Sequence, residues 1–293
     1  MRQLSKRFVE SLTKAGVRKD MLDYITHDPE LDMQLRGDYI NVYYKGGSIL
    51  KIKPKSYFLD EMYFNDSDKM RSKYAKEDPI IHANLVKQRD DLVKFLEDKG
   101  RIADYFSKAK AVMDKWALSL SDKVEFEEKK EQQEIAIANR RDTDFVVLDL
   151  EYAVSSTSEY AYNGTLDKKV PRFDIIAIHN ERLVVIELKK GLGAVSGTSG
   201  VKPHMDCFDH TIGRDNDKLF VKEMQELLRQ KQAFGLLDKT LEIKDEKPLF
   251  MFAYANESGK DEFADFVDRC RKEGYNNEFI YLDNDHKLRR RVL

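Results

Sequence analysis

The sequence predicts an α/β protein of two regions, an α+β region over residues 1–118 and a separate α/β region over residues 119–293. Three observations carry this. The runs Phe173–Ile178 and Leu183–Leu188 are almost continuously apolar and are joined by His179-Asn180-Glu181-Arg182, a polar connection of hairpin length. Such runs look buried on both faces of a sheet. Downstream, Phe220, Met224, Leu227 and Phe234 recur at helical intervals, with Lys231 the exception, and Pro248–Ala255 is a further apolar run.

In chain order, Leu4, Phe8 and Leu12 mark an amphipathic helix, and Met21–Ile25 belongs to a second. Leu35–Tyr44 and Ser48–Lys53 read as a hairpin around Lys45-Gly46-Gly47. Tyr39, Val42, Tyr43 and Tyr44, interleaved with Lys45, Lys51, Lys53 and Lys55, read in two ways. One is an aromatic and basic nucleic-acid surface; the commoner is the packing of a half-buried sheet. Ile80–Lys99 and Ile102–Leu120 predict two helices, and no internal repeat is evident. Residues 121–139 predict a helix that starts at Ser121 or Asp122, followed by the strand Phe145–Leu150. Asp149 and Glu151 sit in or just beyond that strand, either near a metal or where the strand emerges into water.

After the hairpin, Gly191–Pro203 is rich in glycine and small polar residues and reads as a mobile loop, either a cover that orders on substrate or a plain linker. It is not a Walker phosphate loop, because no Gly-Lys-Ser/Thr closes it. His204, Asp206 and His210 follow. Their spacing would suit a transition metal, but no fourth ligand is evident, so hydrogen bonding or substrate contact is the preferred role. A helix over Lys218–Leu237, the strand Pro248–Ala255, a helix over Asp261–Glu273 and a strand over Glu278–Leu282 complete the α/β layer.

Composition bounds the function. A chain of 293 residues, 41% hydrophobic with 16 Phe and 14 Tyr, suffices for substantial cores. Two cysteines, Cys207 and Cys270, make no disulfide framework and no Cys-x-x-Cys pair, and read as free thiols in a reducing compartment. The opening Met1-Arg-Gln-Leu-Ser-Lys-Arg has no signal-peptide core, and no apolar run reaches membrane-spanning length. The expected setting is cytoplasmic, without a membrane. The net charge of −2 excludes a histone-like binder. Residues 1–120 hold 23 Lys+Arg against 19 Asp+Glu, and the remainder 28 against 34. Any nucleic-acid affinity must therefore come from local patches. The run Lys287-Leu-Arg-Arg-Arg is one candidate, a solubilising segment being the equal alternative.

The charges inside the two buried runs carry the chemistry. Asp174 interrupts the first; Glu187 and Lys189 interrupt the second. A buried strand excludes unpaired ions, so three such exceptions need a purpose. Alternation along a strand puts Glu187 and Lys189 on one face with Leu188 opposite, and folding the hairpin can bring Asp174 beside Glu187. Two carboxylates with waters suit Mg²⁺.

Pro171, Asp174, Glu187 and Lys189, with Glu187-Leu188-Lys189 as the (D/E)xK element, resemble the PD-(D/E)xK nuclease superfamily of restriction endonucleases and Holliday-junction resolvases. Arg172 and Phe173 separate the proline from the aspartate, so the first half of the motif departs from the family pattern. The resemblance spans roughly residues 121–282. It implies a restriction endonuclease-like αβββαβ core, a mixed sheet flanked by helices. It also implies a helix acid before the first core strand, for which Glu134 stands at the matching offset, with Glu131 as rival one turn earlier. The later Gln230-x-x-x-Phe234 is a faint echo of a Gln-x-x-x-Tyr found in some members. By this resemblance the protein is a metal-dependent phosphodiester hydrolase, a DNA endonuclease of defence or repair, with RNA left open. The implied cofactor is Mg²⁺, with Mn²⁺ as substitute. Asp174, Glu187, Glu134 and the Leu188 carbonyl would be its ligands, and Lys189 would position the attacking water or stabilise the transition state. One site per chain implies a homodimer for a double-strand cutter. The alternative is a catalytically inactive nuclease-fold module that binds nucleic acid or another partner. The region 1–118 resembles no domain whose function can be carried over.

Overall fold

A computed structural model describes residues 2–64, 94–120, 124–154, 172–216, 218–256 and 261–291. The chain forms two units: Arg2–Ile137 with Gln230–Leu236, and Ala138–Arg229 with Leu237–Leu293.

In the amino-terminal unit, α1 (Lys6–Thr13) buries Phe8 and Leu12, and α2 (Val17–His27) buries Met21, Leu22 and Ile25. Four antiparallel strands follow in sheet order: β1 (Asp32–Leu35), β2 (Ile40–Tyr44), β3 (Gly47–Lys53) and β4 (Ser56–Phe58). The single strand expected over Leu35–Tyr44 is two strands split by a tight turn. Arg36 N donates to Tyr39 O at 2.8 Å, and Gly37 supplies the left-handed φ of 66°. The β2–β3 turn is Lys45-Gly46, both at positive φ, as a two-residue type I′ hairpin requires. After the short α3 (Glu61–Phe64) come α4 (Ile102–Leu120) and α5 (Val124–Ala138). A Cβ on Gly46 would lie 2.7 Å from Lys130 N, and Gly46 N donates to Gln133 Oε1 at 2.6 Å, so glycine is needed for contact as well as for turn. The helix expected over Ile80–Lys99 lies almost wholly outside the described residues.

The tyrosine-rich strands pack largely as the bland reading expects. Val42 and Tyr44 are buried, and Lys45 is paired with Asp114 at 2.5 Å. Lys231, the break in the apolar spacing of its helix, is buried too; its Nζ donates to Gln34 Oε1 at 2.9 Å, and Gln34 Nε2 donates to Asp32. Gln230 is engaged by the backbone of Leu4, accepting from its N at 2.9 Å and donating to its O at 3.1 Å.

The second unit is a six-stranded mixed sheet with flanking helices. Its strands are β5 (Val146–Ala153), β6 (Arg172–His179), β7 (Arg182–Lys190), β8 (Leu249–Ala255), β9 (Phe279–Leu282) and β10 (Leu288–Arg290). The order is β10-β9-β8-β7-β6-β5. β5, β6 and β7 form an antiparallel meander, β7, β8 and β9 run parallel, and β10 returns antiparallel to β9. The parallel pairs need crossovers. α6 (Val201–His210) and α7 (Leu219–Ala233) occupy the first, α8 (Phe263–Lys272) the second. Ile175–Ile178 and Leu183–Ile186 are all buried, which accounts for their unbroken apolar runs. Each such side chain stabilises the fold by ~1.5–3 kcal/mol. Asn180 and Glu181 close the β6–β7 turn at φ 49° and 62°.

Two expectations change here. The segment Gly191–Pro203 is not one loop: Leu192–Val195 is a 3₁₀ turn, and α6 starts at Val201 with Pro203 in its first turn, where a missing amide proton does no harm. The basic run Lys287–Arg291 is not a charged tail but contributes β10. Arg289 faces Asp283 at 3.2 Å, Arg290 pairs with Glu278, and Arg291 pairs with Asp261 at 2.6 Å. Buried Asn139 holds this strand: Leu288 N donates to its Oδ1 at 3.0 Å, and its Nδ2 donates to His286 O at 2.7 Å. Among the described residues no helix is long and apolar enough to cross a membrane.

Candidate functional site

Glu187 and Lys189 stand near the carboxyl end of β7, the central strand at which antiparallel pairing gives way to parallel. Both are buried, at 2% and 4% exposure. Period two puts them on one face, and Phe252, the partner of Glu187 on β8, shares it. The Lys189 ammonium lies 5.8 Å from the Phe252 ring centroid. Asp174, half-buried, is on β6 just past the last paired residues, Ile175 and Ile186. Where the ladder ends, its side chain takes over: Leu188 N donates to Asp174 Oδ2 at 2.9 Å. The hairpin thus brings Asp174, Glu187 and Lys189 together. Pro171 lies outside the described residues. Glu134 and Glu131 are half-buried on α5, in the amino-terminal unit.

α6 covers the Glu187 face. His204, in its first turn, touches both charged residues of β7. Its Nε2 is 3.2 Å from Glu187 Oε2, and its Nδ1 is 3.1 Å from Lys189 Nζ. Nδ1 is also 2.7 Å from Gly200 O. A carbonyl only accepts and an ammonium only donates, so the two contacts of Nδ1 ask for opposite tautomers; the shorter one, to Gly200 O, favours a proton on Nδ1 with Nε2 as the acceptor when the ring is neutral. Lys189 Nζ donates to Ser199 O at 2.8 Å. Gly200 fixes the geometry by close approach, since a Cβ there would stand 2.6 Å from Val195 O.

The electrostatics follow from burial. Glu187 is pushed well above the usual carboxylate range, first by burial and then by the negative charge of Asp174, with Lys189 opposing. His204 is pushed down, first by burial and then by Lys189. Both shifts favour an uncharged pair, with a proton on Glu187 facing the bare Nε2. Burial, then the Glu187 carboxylate, raises the Cys207 thiol, so it stays protonated beside the site. Glu187 Oε1 is buried with no hydrogen-bond partner. A cation would serve that atom and offset the two carboxylates, so the donor set fits a hard divalent ion. Among the described residues, no group of three or more His, Cys, Asp or Glu side chains is placed to hold a metal ion, so carbonyl oxygens and water would complete its shell.

Sequence reasoning set aside two residues that the structure puts on this face. Asp149 is buried on β5 opposite Ile176, and through Ile176 and Val185 the register places it on the face of Glu187, two strands away. A β-bulge between Val147 and Asp149 shifts the alternation, which no periodicity count reveals. The sequence offers His204 as a transition-metal ligand or, preferably, as a hydrogen-bonding or substrate-contacting residue after a loop; Pro203 is the signal that a helix begins there. No family model matches the chain, and neither a curated protein nor a solved structure matches it significantly.

Proposed function

We propose that this protein is a metal-dependent nuclease, hydrolysing phosphodiester bonds of DNA, on a restriction endonuclease-like αβββαβ core. One observation carries the reading: an acid and a lysine, Glu187 and Lys189, are buried two residues apart in a central strand, beside a second acid, Asp174. Ionisable groups are rarely placed so for structure alone, because each loses several kcal/mol of hydration when charged. The order of helix, three-strand meander, crossover helices and parallel strand supports the fold assignment.

Asp174 and Glu187 would hold the cation, with the Leu188 carbonyl as a further ligand; the chemistry a divalent ion would supply is offset of charge on the phosphate and a more acidic water. Lys189 places positive charge beside the reacting phosphate, where its value is greatest in the transition state. Ser199 O holds that ammonium in position before substrate arrives. Asp174, Glu187 and Lys189 all belong to the carboxyl-terminal unit.

One observation favours a second reading, the same fold as a non-catalytic binding module: the described residues hold no three-ligand group. Cleavage assays with Mg²⁺ and Mn²⁺ on linear, circular, branched and single-stranded DNA, and on RNA, decide between them. Metal-dependent cleavage that Asp174→Ala and Glu187→Ala abolish supports the nuclease. Binding without turnover on every substrate supports the module.

A further inference from the structure

We propose that the open half of one face of the amino-terminal sheet is a platform for single-stranded DNA, built from Phe58 and Tyr39 with Lys51, Lys53 and Lys55. This is the part of the aromatic and basic segment that packing does not use. The proposal does not rest on the nuclease reading, because the platform lies wholly in the amino-terminal unit and its test reads binding, not cleavage.

Strand pairing sorts the sheet into two unlike faces. Ile40 pairs with Ile52 and Val42 with Leu50, and all four are buried. Alternation sends their neighbours the other way. On that second face Asn41 pairs with Lys51, Lys51 with Phe58, and Lys53 with Ser56. Its inner half is closed: Asp32, Gln34, Asn41 and Ser48 are buried, with Gln34 donating to Asp32 and Ser48 to Asn41. Its outer half is open. Lys53 and Phe58 are exposed, Lys51 and Tyr39 half-buried, and Lys55 stands exposed at the turn beside them. Among the described residues Phe58 is the only exposed Phe, Tyr or Trp, at 44%. Pro54 and Lys55 make the two-residue turn from β3 to β4, and the proline ring fixes one of its φ angles, so the platform is shaped before a ligand arrives.

Charge selects the partner. Lys51 Nζ lies 5.2 Å from the Tyr39 ring centroid, and Lys53 Nζ 4.7 Å from that of Phe58. No carboxylate among the described residues pairs with Lys51, Lys53 or Lys55. Asp38, next to Tyr39 in the chain, accepts instead from Ser5 N at 2.8 Å. An ammonium resting on an exposed ring is weakly held, so a phosphate can take the ammonium and leave the ring to a base. Lys51 and Lys53 are about 7 Å apart along β3, a spacing comparable to that of successive phosphates in an extended strand. A duplex stacks its base faces on each other, so an exposed ring finds a partner only on a single strand. DNA is the form assigned, because stacking and phosphate contacts carry the interaction, and Asn41, the amide on this face, is buried and bonded to Ser48 rather than open to a ribose 2′-hydroxyl. Lysines near a sheet edge also discourage pairing with other sheets, but an exposed phenyl ring among them works against that purpose.

The test is fluorescence anisotropy of a labelled single-stranded DNA oligonucleotide with the full-length protein, in chelator and over a series of salt concentrations. The wild type is expected to bind the strand more tightly than the matched duplex, with log K falling by about 2 per tenfold rise in salt, the release from three phosphates of a single strand. Phe58→Ala should weaken binding about 5- to 100-fold and leave that slope unchanged, since stacking releases no counterions. Phe58→Trp should bind as the wild type does or better. Lys51→Gln combined with Lys53→Gln should make the slope shallower by about 1.4. The replaced side chains are exposed or half-buried, so the variants should melt with the wild type. No binding by the wild type at low salt would overturn the assignment. So would equal affinity for the duplex, a preference for the matched RNA strand, or an affinity and slope that neither Phe58→Ala nor the lysine pair alters.

Discussion

At the scale of single residues, Asp174, Glu187 and Lys189 are expected to separate metal binding, chemistry and stability. Lys189→Ala should lower the cleavage rate ~100- to 1,000-fold, the range for losing a positioned charge in a closed site, while nucleic-acid affinity changes little. Filter-binding and single-turnover assays on one preparation test this, and equal losses of rate and affinity would make Lys189 an ordinary phosphate contact. Glu187→Gln should abolish metal binding yet leave the metal-free protein as stable as the wild type or more so. The sign follows from the raised carboxyl. Its stabilising contribution is full below the ordinary value of 4.5 and is lost as pH rises toward the higher value of the folded state. Melting curves in chelator should therefore show the wild type falling behind Glu187→Gln as pH rises above 4.5, with divalent metal closing the gap. Parallel curves at every pH would mean that Glu187 is already ionised and paired. These three residues were legible in the sequence because charge inside an apolar run is conspicuous. Asp149 and His204 were visible as candidates but their placement was not, because a β-bulge and a helix start decide where they point.

At the scale of elements, turns are where the sequence and the structure agree least comfortably. Glu181 is held at φ 62° in the β6–β7 turn, a conformation that penalises any residue with a Cβ. Glu181→Gly completes an Asn-Gly type I′ turn and should raise stability by about 0.5–1 kcal/mol in urea denaturation, less any loss of its exposed ion pair with Lys244. A lower midpoint would mean that the ion pair outweighs the strain. Gly200→Ala is expected to act in the opposite direction. Its methyl meets Val195 O and the Ser196 backbone, so the start of α6 must move. Overpacking of this kind costs about 1–3 kcal/mol, and His204 and the carbonyl on Lys189 move with it. Activity should fall more than stability alone explains, measured well below the melting point. The strands of the second unit were legible because both faces are buried, as Ile175–Ile178 show. The division of Leu35–Tyr44 into two strands was not, because Arg36–Tyr39 lacks an Asn-Gly signal and its single glycine reads equally as part of a strand.

For the whole molecule, the near-neutral charge and the local pairing of Arg289, Arg290 and Arg291 leave no strongly basic face among these residues. Nucleic-acid affinity should therefore be modest, with a shallow dependence of log K on log salt, corresponding to few released counterions. A slope demanding six or more phosphate contacts would point to a basic surface elsewhere in the chain. The long-range bonds have a further consequence, for synthesis on the ribosome. Asn139 receives its partner Leu288 across 149 positions, and Gln34 receives Lys231 across 197. Domains emerge amino-terminal end first, at about 5–20 residues per second. The side chain of Asn139 thus remains in water for roughly 7–30 s at that pace before β10 is synthesised. Neither unit can finish folding when its main stretch has been translated, so a stall between residues 236 and 288 would leave the first unit able to close and the second waiting with an open sheet edge.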